Sequence, residues 1–237
     1  MYINTDMIYT FGCSHTYGVE GTQTDTVSWP EKLAELLPEH TIEDYSFPGT
    51  SLEYSIYQFN RLHSQRTSED IFIFQITVPH RYTHWPQNYL TDNSLRYWKT
   101  PNYNKYHRQT GEQLYRYGPS TNPPLLDGGE SGTLNPDPDM FKLRYLYHND
   151  EQEYSNYFSM TNWLQSRTDV AFKWADYKDL IPVANPVSHK PIQSIQSNLN
   201  PTQYQLFCCD ESNHFGESGS QWVAEWIHKQ LINEGKL

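Results

Sequence analysis

Short apolar runs and stripes of apolar residues three or four apart take turns along the first eighty positions. Met7 to Phe11 is a run that ends at Gly12-Cys13-Ser14-His15, and it reads as a buried strand leaving through a tight turn. Trp29, Leu33, Leu36 and Leu37 then fall at helical spacing, with Pro30 suited to the first turn. Thr41 to Tyr45 predicts a second strand, and Phe47-Pro48-Gly49-Thr50 a turn. Ser51 is placed to cap a helix whose Leu52, Ile56, Phe59 and Leu62 share one face. Asp70 to Ile76 is apolar at successive positions, as a central strand buried on both faces must be.

From about His84 to Asp139 this regularity dissolves into Tyr, Asn, Pro and Gly, with Asn122-Pro-Pro124, Asp127-Gly-Gly129 and Asn135-Pro-Asp-Pro138. A long irregular segment rich in aromatics reads as a lid or binding surface, inserted within one domain that spans residues 1–237. Beyond it, Tyr154, Tyr157, Phe158, Trp163 and Leu164 predict a helix, and Asp169 to Trp174 a further strand. A polar stretch rich in Pro, Asn and Ser follows. The last segment is an amphipathic helix with Trp222, Val223, Trp226, Ile227 and Leu231 inward. Strands alternating with helices predict an α/β fold, a three-layer α/β/α sandwich around a parallel central sheet.

Charge and composition then narrow the partners. A formal net charge of -11 argues against a nucleic acid, whose phosphates require clustered Lys and Arg. No apolar run is long enough to span a bilayer, and the first residues lack the basic and apolar regions of a signal peptide, so a cytoplasmic protein is expected. Three cysteines, two of them adjacent, do not make a disulfide framework. A metal site of Cys13, His15 and Cys208 or Cys209 lacks any supporting C-x-x-C spacing, so no metal is expected. The 19 Tyr, 7 Trp and 10 Phe exceed what so polar a chain needs for its core. Some of them are expected to line a groove or an interface with a second copy or a virion component.

The chemistry lies at the two ends of the chain. Ser14 follows a strand, where open α/β sheets place their ligands, and Asp210-Glu-Ser-Asn-His214 offers a base and a carboxylate. Gly12-Cys13-Ser14-His15-Thr16 resembles the Gly-Asp-Ser opening of the SGNH (GDSL-like) hydrolases. Gly49, after the second strand, resembles that family's second signature glycine. His214-Phe-Gly-Glu-Ser-Gly219, leading into a helix, resembles its last motif. The resemblance implies a flavodoxin-like sheet, a Ser14 nucleophile and a His214 base oriented by Asp210 or Glu211. It further implies an oxyanion hole from the Ser14 and Gly49 amides, and no cofactor. It favours small acyl esters, carbohydrate O-acetyl groups among them, and a Gly-Cys-Ser-His opening also resembles phage-encoded members.

The chain departs from the family in three places. The family's two-residue spacing between acid and histidine falls on Glu211, whereas its preferred residue type falls on Asp210. Cys13 stands where the family has Asp, and the Gly-x-Asn turn after the central strand is absent, its asparagine's place falling near Pro79. That asparagine donates to the oxyanion, and losing one such donor costs about 3 kcal/mol of transition-state stabilisation. Gln75, Thr77, His80 and Arg81 are the candidate substitutes. The duller alternatives are a Ser14 that only bonds its own turn, a structural His214, a Gly49 needed only for dihedral angles and a His15 that packs in the turn. On those alternatives the chain is a binding or virion-associated protein on the same fold.

Overall fold

A computed structural model of the chain describes residues 6–18, 27–47, 51–63, 67–77, 94–100, 103–108, 150–174, 192–208 and 214–237. Its elements in order are β1 (Met7–Phe11), α1 (Ser14–Tyr17), α2 (Trp29–Leu36), β2 (Thr41–Asp44), α3 (Leu52–His63) and β3 (Ile71–Ile76). They continue with β4 (Ser94–Thr100), β5 (Tyr103–Arg108), α4 (Asp150–Gln165), β6 (Val170–Lys173) and β7 (Gln193–Ser194). A 3-10 turn (Gln196–Asn198), α5 (Pro201–Phe207) and α6 (Glu217–Asn233) follow.

The sheet runs β4-β5-β2-β1-β3-β6-β7, parallel throughout except for β4, which is antiparallel to β5. Leaving aside the β4–β5 pair, the order is that of flavodoxin-like sheets, second strand, first, third, then outward. The direction of winding reverses between β1 and β3, the point at whose carboxyl ends folds of this kind open a crevice. Ser14 lies three residues beyond the end of β1.

Each face of the sheet carries its own core. Ile8, Ile42, Ile71, Ile73 and Phe172 turn toward Leu33 of α2 and Val223, Ile227 and Leu231 of α6. Phe11, Phe72, Phe74 and Ile76 turn to the other face, against Phe59 of α3 and Leu164 of α4. Residues 71 to 76 are buried without exception, because alternate side chains enter both cores. The Phe11 and Phe74 rings stack 4.3 Å apart, and Phe59 meets them edge-on. Together these layers form the α/β/α sandwich. Among the described residues no helix is long and apolar enough to cross a membrane.

Local chemistry sets the helix starts. Ser28 precedes α2 with Pro30 in its first turn. The Ser51 hydroxyl accepts the Tyr54 amide at 3.3 Å, the cap expected for α3. Two parts of the chain differ from the sequence reading. The span 84–139, expected to be irregular, holds β4 and β5, which extend the sheet past β2. Tyr97, Trp98, Tyr103 and Tyr106 are strand formers, and the surrounding Asn and Pro mask their signal. The polar stretch before His214 holds α5, whose Asn200 and Gln203 form a reciprocal capping box.

Candidate active site

The turn that carries Ser14 is built on one buried glutamine. Cys13 precedes α1, and its carbonyl accepts the Thr16 and Tyr17 amides, both at 3.0 Å. Gly18 closes the turn in the left-handed region, φ 79°. From β3, the Gln75 Oε1 atom accepts the Cys13 amide at 3.1 Å, the Cys13 thiol at 3.2 Å and the Thr16 hydroxyl at 3.2 Å. Its Nε2 donates to the Ile76 carbonyl at 2.9 Å. The Cys13 amide can only donate and the Ile76 carbonyl can only accept, so the orientation of this side chain is fixed. Gly12 is needed where it stands, since a Cβ there would collide with Thr16 Oγ1 and lie 2.8 Å from Gln75 Oε1.

This geometry corrects one expectation. Gln75 was a candidate donor to the cleft, yet the atom that it presents to the Ser14 turn is an acceptor. Of the other candidates, Thr77 is buried just past β3, its carbonyl accepting the Tyr157 hydroxyl at 2.8 Å. His80 and Arg81 lie outside the described residues, as do Gly49, Asp210, Glu211 and Cys209. The described chain after β2, residues 45–47, runs beside the end of β1 and Gly12. Tyr45 and Phe47 donate their amides to the Thr10 and Gly12 carbonyls, at 2.8 and 3.2 Å. Asp44, fully buried, holds this exit from β2 by accepting the Thr10 hydroxyl and the Ser46 amide, each at 3.0 Å.

His214 arrives from the other end of the chain. Its Nε2 lies 2.8 Å from Ser14 Oγ, hydrogen-bond distance for a nucleophile and its base. Ser14 is buried and His214 half-buried. Phe215 fixes the approach. Its ring is buried against Trp174, Tyr204 and Phe207, and the Gly216 amide donates to the Phe207 carbonyl at 2.9 Å. A Cβ on Gly219, one turn into α6, would lie 2.5 Å from the Phe215 ring, so the last glycine of the motif makes room for that ring. His15 sits between the two ends. Its ring stacks on Trp174 at 4.1 Å and on His214 at 4.4 Å.

Nothing in the sequence marks Gln75 as the support of the turn, or Trp174 as a neighbour of the site. Both roles arise from strands that meet only in three dimensions. Among the described residues no three His, Cys, Asp or Glu side chains converge as metal ligands. A cavity of about 610 Å³ lies elsewhere, lined by Trp163, Asp169, Val170, Gln193 and Trp226 among others. Val170 and Gln193 begin their strands, so this cavity is at the amino ends of the sheet, away from the end where such folds bind ligands. No family model matches the chain, and no curated protein matches it. The functional reading therefore rests on the chain's own geometry.

Proposed function

We propose that the chain is a serine esterase of the SGNH type, cleaving small carboxylic esters, O-acetylated carbohydrates among them, by way of an acyl-serine. The observation that carries this is the 2.8 Å contact between Ser14 Oγ and His214 Nε2, made just beyond the carboxyl end of β1. Ser14 Oγ attacks the ester carbonyl while His214 takes its proton. The tetrahedral intermediate collapses as the imidazolium returns that proton to the leaving alcohol, and water activated by the same ring then releases the acid. Asp210 or Glu211 is the proposed partner of the far ring nitrogen, holding the tautomer that leaves Nε2 free to accept. The backbone amides of Ser14 and Gly49 are the proposed oxyanion donors. The missing Asn donor, for which Gln75 does not substitute, favours one rival, a binding protein on this fold that has lost turnover.

One experiment separates the two. A fluorophosphonate should label the wild-type protein, with the adduct mapped to Ser14. Ser14→Ala should lose labelling and lower nitrophenyl acetate hydrolysis by at least about a thousandfold, with an unchanged melting temperature. A folded wild-type protein that neither labels nor turns over the ester sinks the esterase and leaves the binding protein.

A further inference from the structure

A base that accepts one proton at one atom must be held in position and in plane. The hydrogen bond from Ser14 to His214 Nε2 fixes a point, and the ring can still swing about it, because the terminal torsion of a histidine has broad minima. A flat neighbour removes that freedom. The His15 ring lies 4.4 Å from the His214 ring at 26°, close to parallel. His15 is itself backed by Trp174, 4.1 Å away at 21°.

The backing is rigid. Trp174 is 3% exposed and directly follows β6. Its Nε1 donates to the Tyr204 hydroxyl at 3.3 Å, and its ring meets Phe215 at 4.3 Å. Burial raises the Tyr204 phenol above its usual range, so that partner stays neutral. Ser14 and His15 are moreover consecutive residues of one hydrogen-bonded turn. The nucleophile and the flat surface therefore travel as one body, and His214 touches both, Ser14 with its edge and His15 with its face.

We propose that His15 is a positioning residue, its ring the plate that holds His214 in plane with Ser14 Oγ. This rests on the reading of His214 as the base for Ser14. It goes beyond packing, because what matters is a flat ring and not filled volume. His15→Phe keeps the plate, whereas His15→Leu fills the space without one.

Two readouts decide it, made on the full chain with folding of each variant verified by thermal melting. The first is turnover of nitrophenyl acetate. His15→Leu should lower kcat by about 10- to 100-fold with KM within about twofold, the cost of a misaimed base, and His15→Phe should restore kcat to within about threefold of wild type. The second needs no activity: nitrogen-15 NMR of the His214 ring. Wild type and His15→Phe should show two well-separated ring nitrogens, a single tautomer, and His15→Leu should show them averaged, because a ring that swings out of plane leaves the hydrogen-bond partners that select its tautomer. His15→Gln, similar in reach and likewise without an aromatic ring, stands in should His15→Leu not fold. The proposal is overturned if the leucine or glutamine variant keeps wild-type ring shifts, or if the folded phenylalanine variant averages them. If wild type takes no probe and turns over no ester, the esterase reading falls while the NMR comparison still decides the plate.

Discussion

Gln75 carries more of the site than any motif residue suggests. Three donors converge on its single oxygen, and two of them belong to Cys13, the residue just before Ser14. Replacing it with leucine preserves bulk but strands a buried backbone amide, and such a group costs about 1–3 kcal/mol. Gln75→Leu should therefore lower the urea-unfolding free energy by about that amount. On the proposed esterase reading it should also lower kcat, because the Ser14 turn loses its anchor; an unchanged unfolding curve would show the turn to be held by other means. The contrast with Ser14 shows what the sequence can and cannot reveal. Ser14 and His214 were legible because each ends a recognisable local pattern, a strand-to-turn exit and a helix entry. Gln75 was legible only as a polar break in an apolar strand. Whether it donates or accepts depends on the neighbour across β1, which no local pattern records.

The helices covering one face are joined to each other as well as to the sheet. Lys32 of α2 pairs with Glu217, the first residue of α6, at 2.9 Å and with Glu35 at 3.2 Å. The hydrogen bond to Glu217, with help from Glu35, raises the lysine above its usual value despite partial burial, which acts the other way. A raised folded value means that the stabilisation is fully present below the ordinary lysine value of 10.5 and fades as pH climbs through the folded one. Both carboxylates are more than half exposed, at 51% and 69%, so the gain is small. Lys32→Met should cost no more than about 1 kcal/mol, by a margin constant between about pH 6 and pH 9 and shrinking only beyond the lysine range. A margin that already closes near neutrality would rule this out. Among the elements, α2, α3 and β3 were readable from period and cap alone. The capping box of α5 is equally plain, but the helix is seven residues long with no buried residue, so no apolar stripe announced it.

Across the whole molecule the two ends of the sheet do different work. At the amino ends, Asp169 accepts the Phe72 amide at 2.8 Å and pairs with Lys236 at 2.7 Å. Asp169→Ala should lower stability by about 1–3 kcal/mol through the stranded amide, while Lys236→Ala, losing only a surface pair, should cost less than about 1 kcal/mol. Neither should move kcat by more than about twofold, since Ser14 and His214 meet at the opposite end. Linked losses of activity and stability at Asp169 would contradict this separation of roles. The layered architecture was legible because each strand and helix states its own period. The β4–β5 extension was not, because its strands sit among turn-forming residues. One contact also sets a timetable. Ser14 and His214 are 200 residues apart. Their contact therefore waits until the chain through α6 has been made and that helix seated. Closing so distant a pair comes late in folding, because loop entropy must be overcome first. On the esterase reading, returning turnover during refolding therefore clocks the docking of α6, while the sheet's own assembly passes unseen.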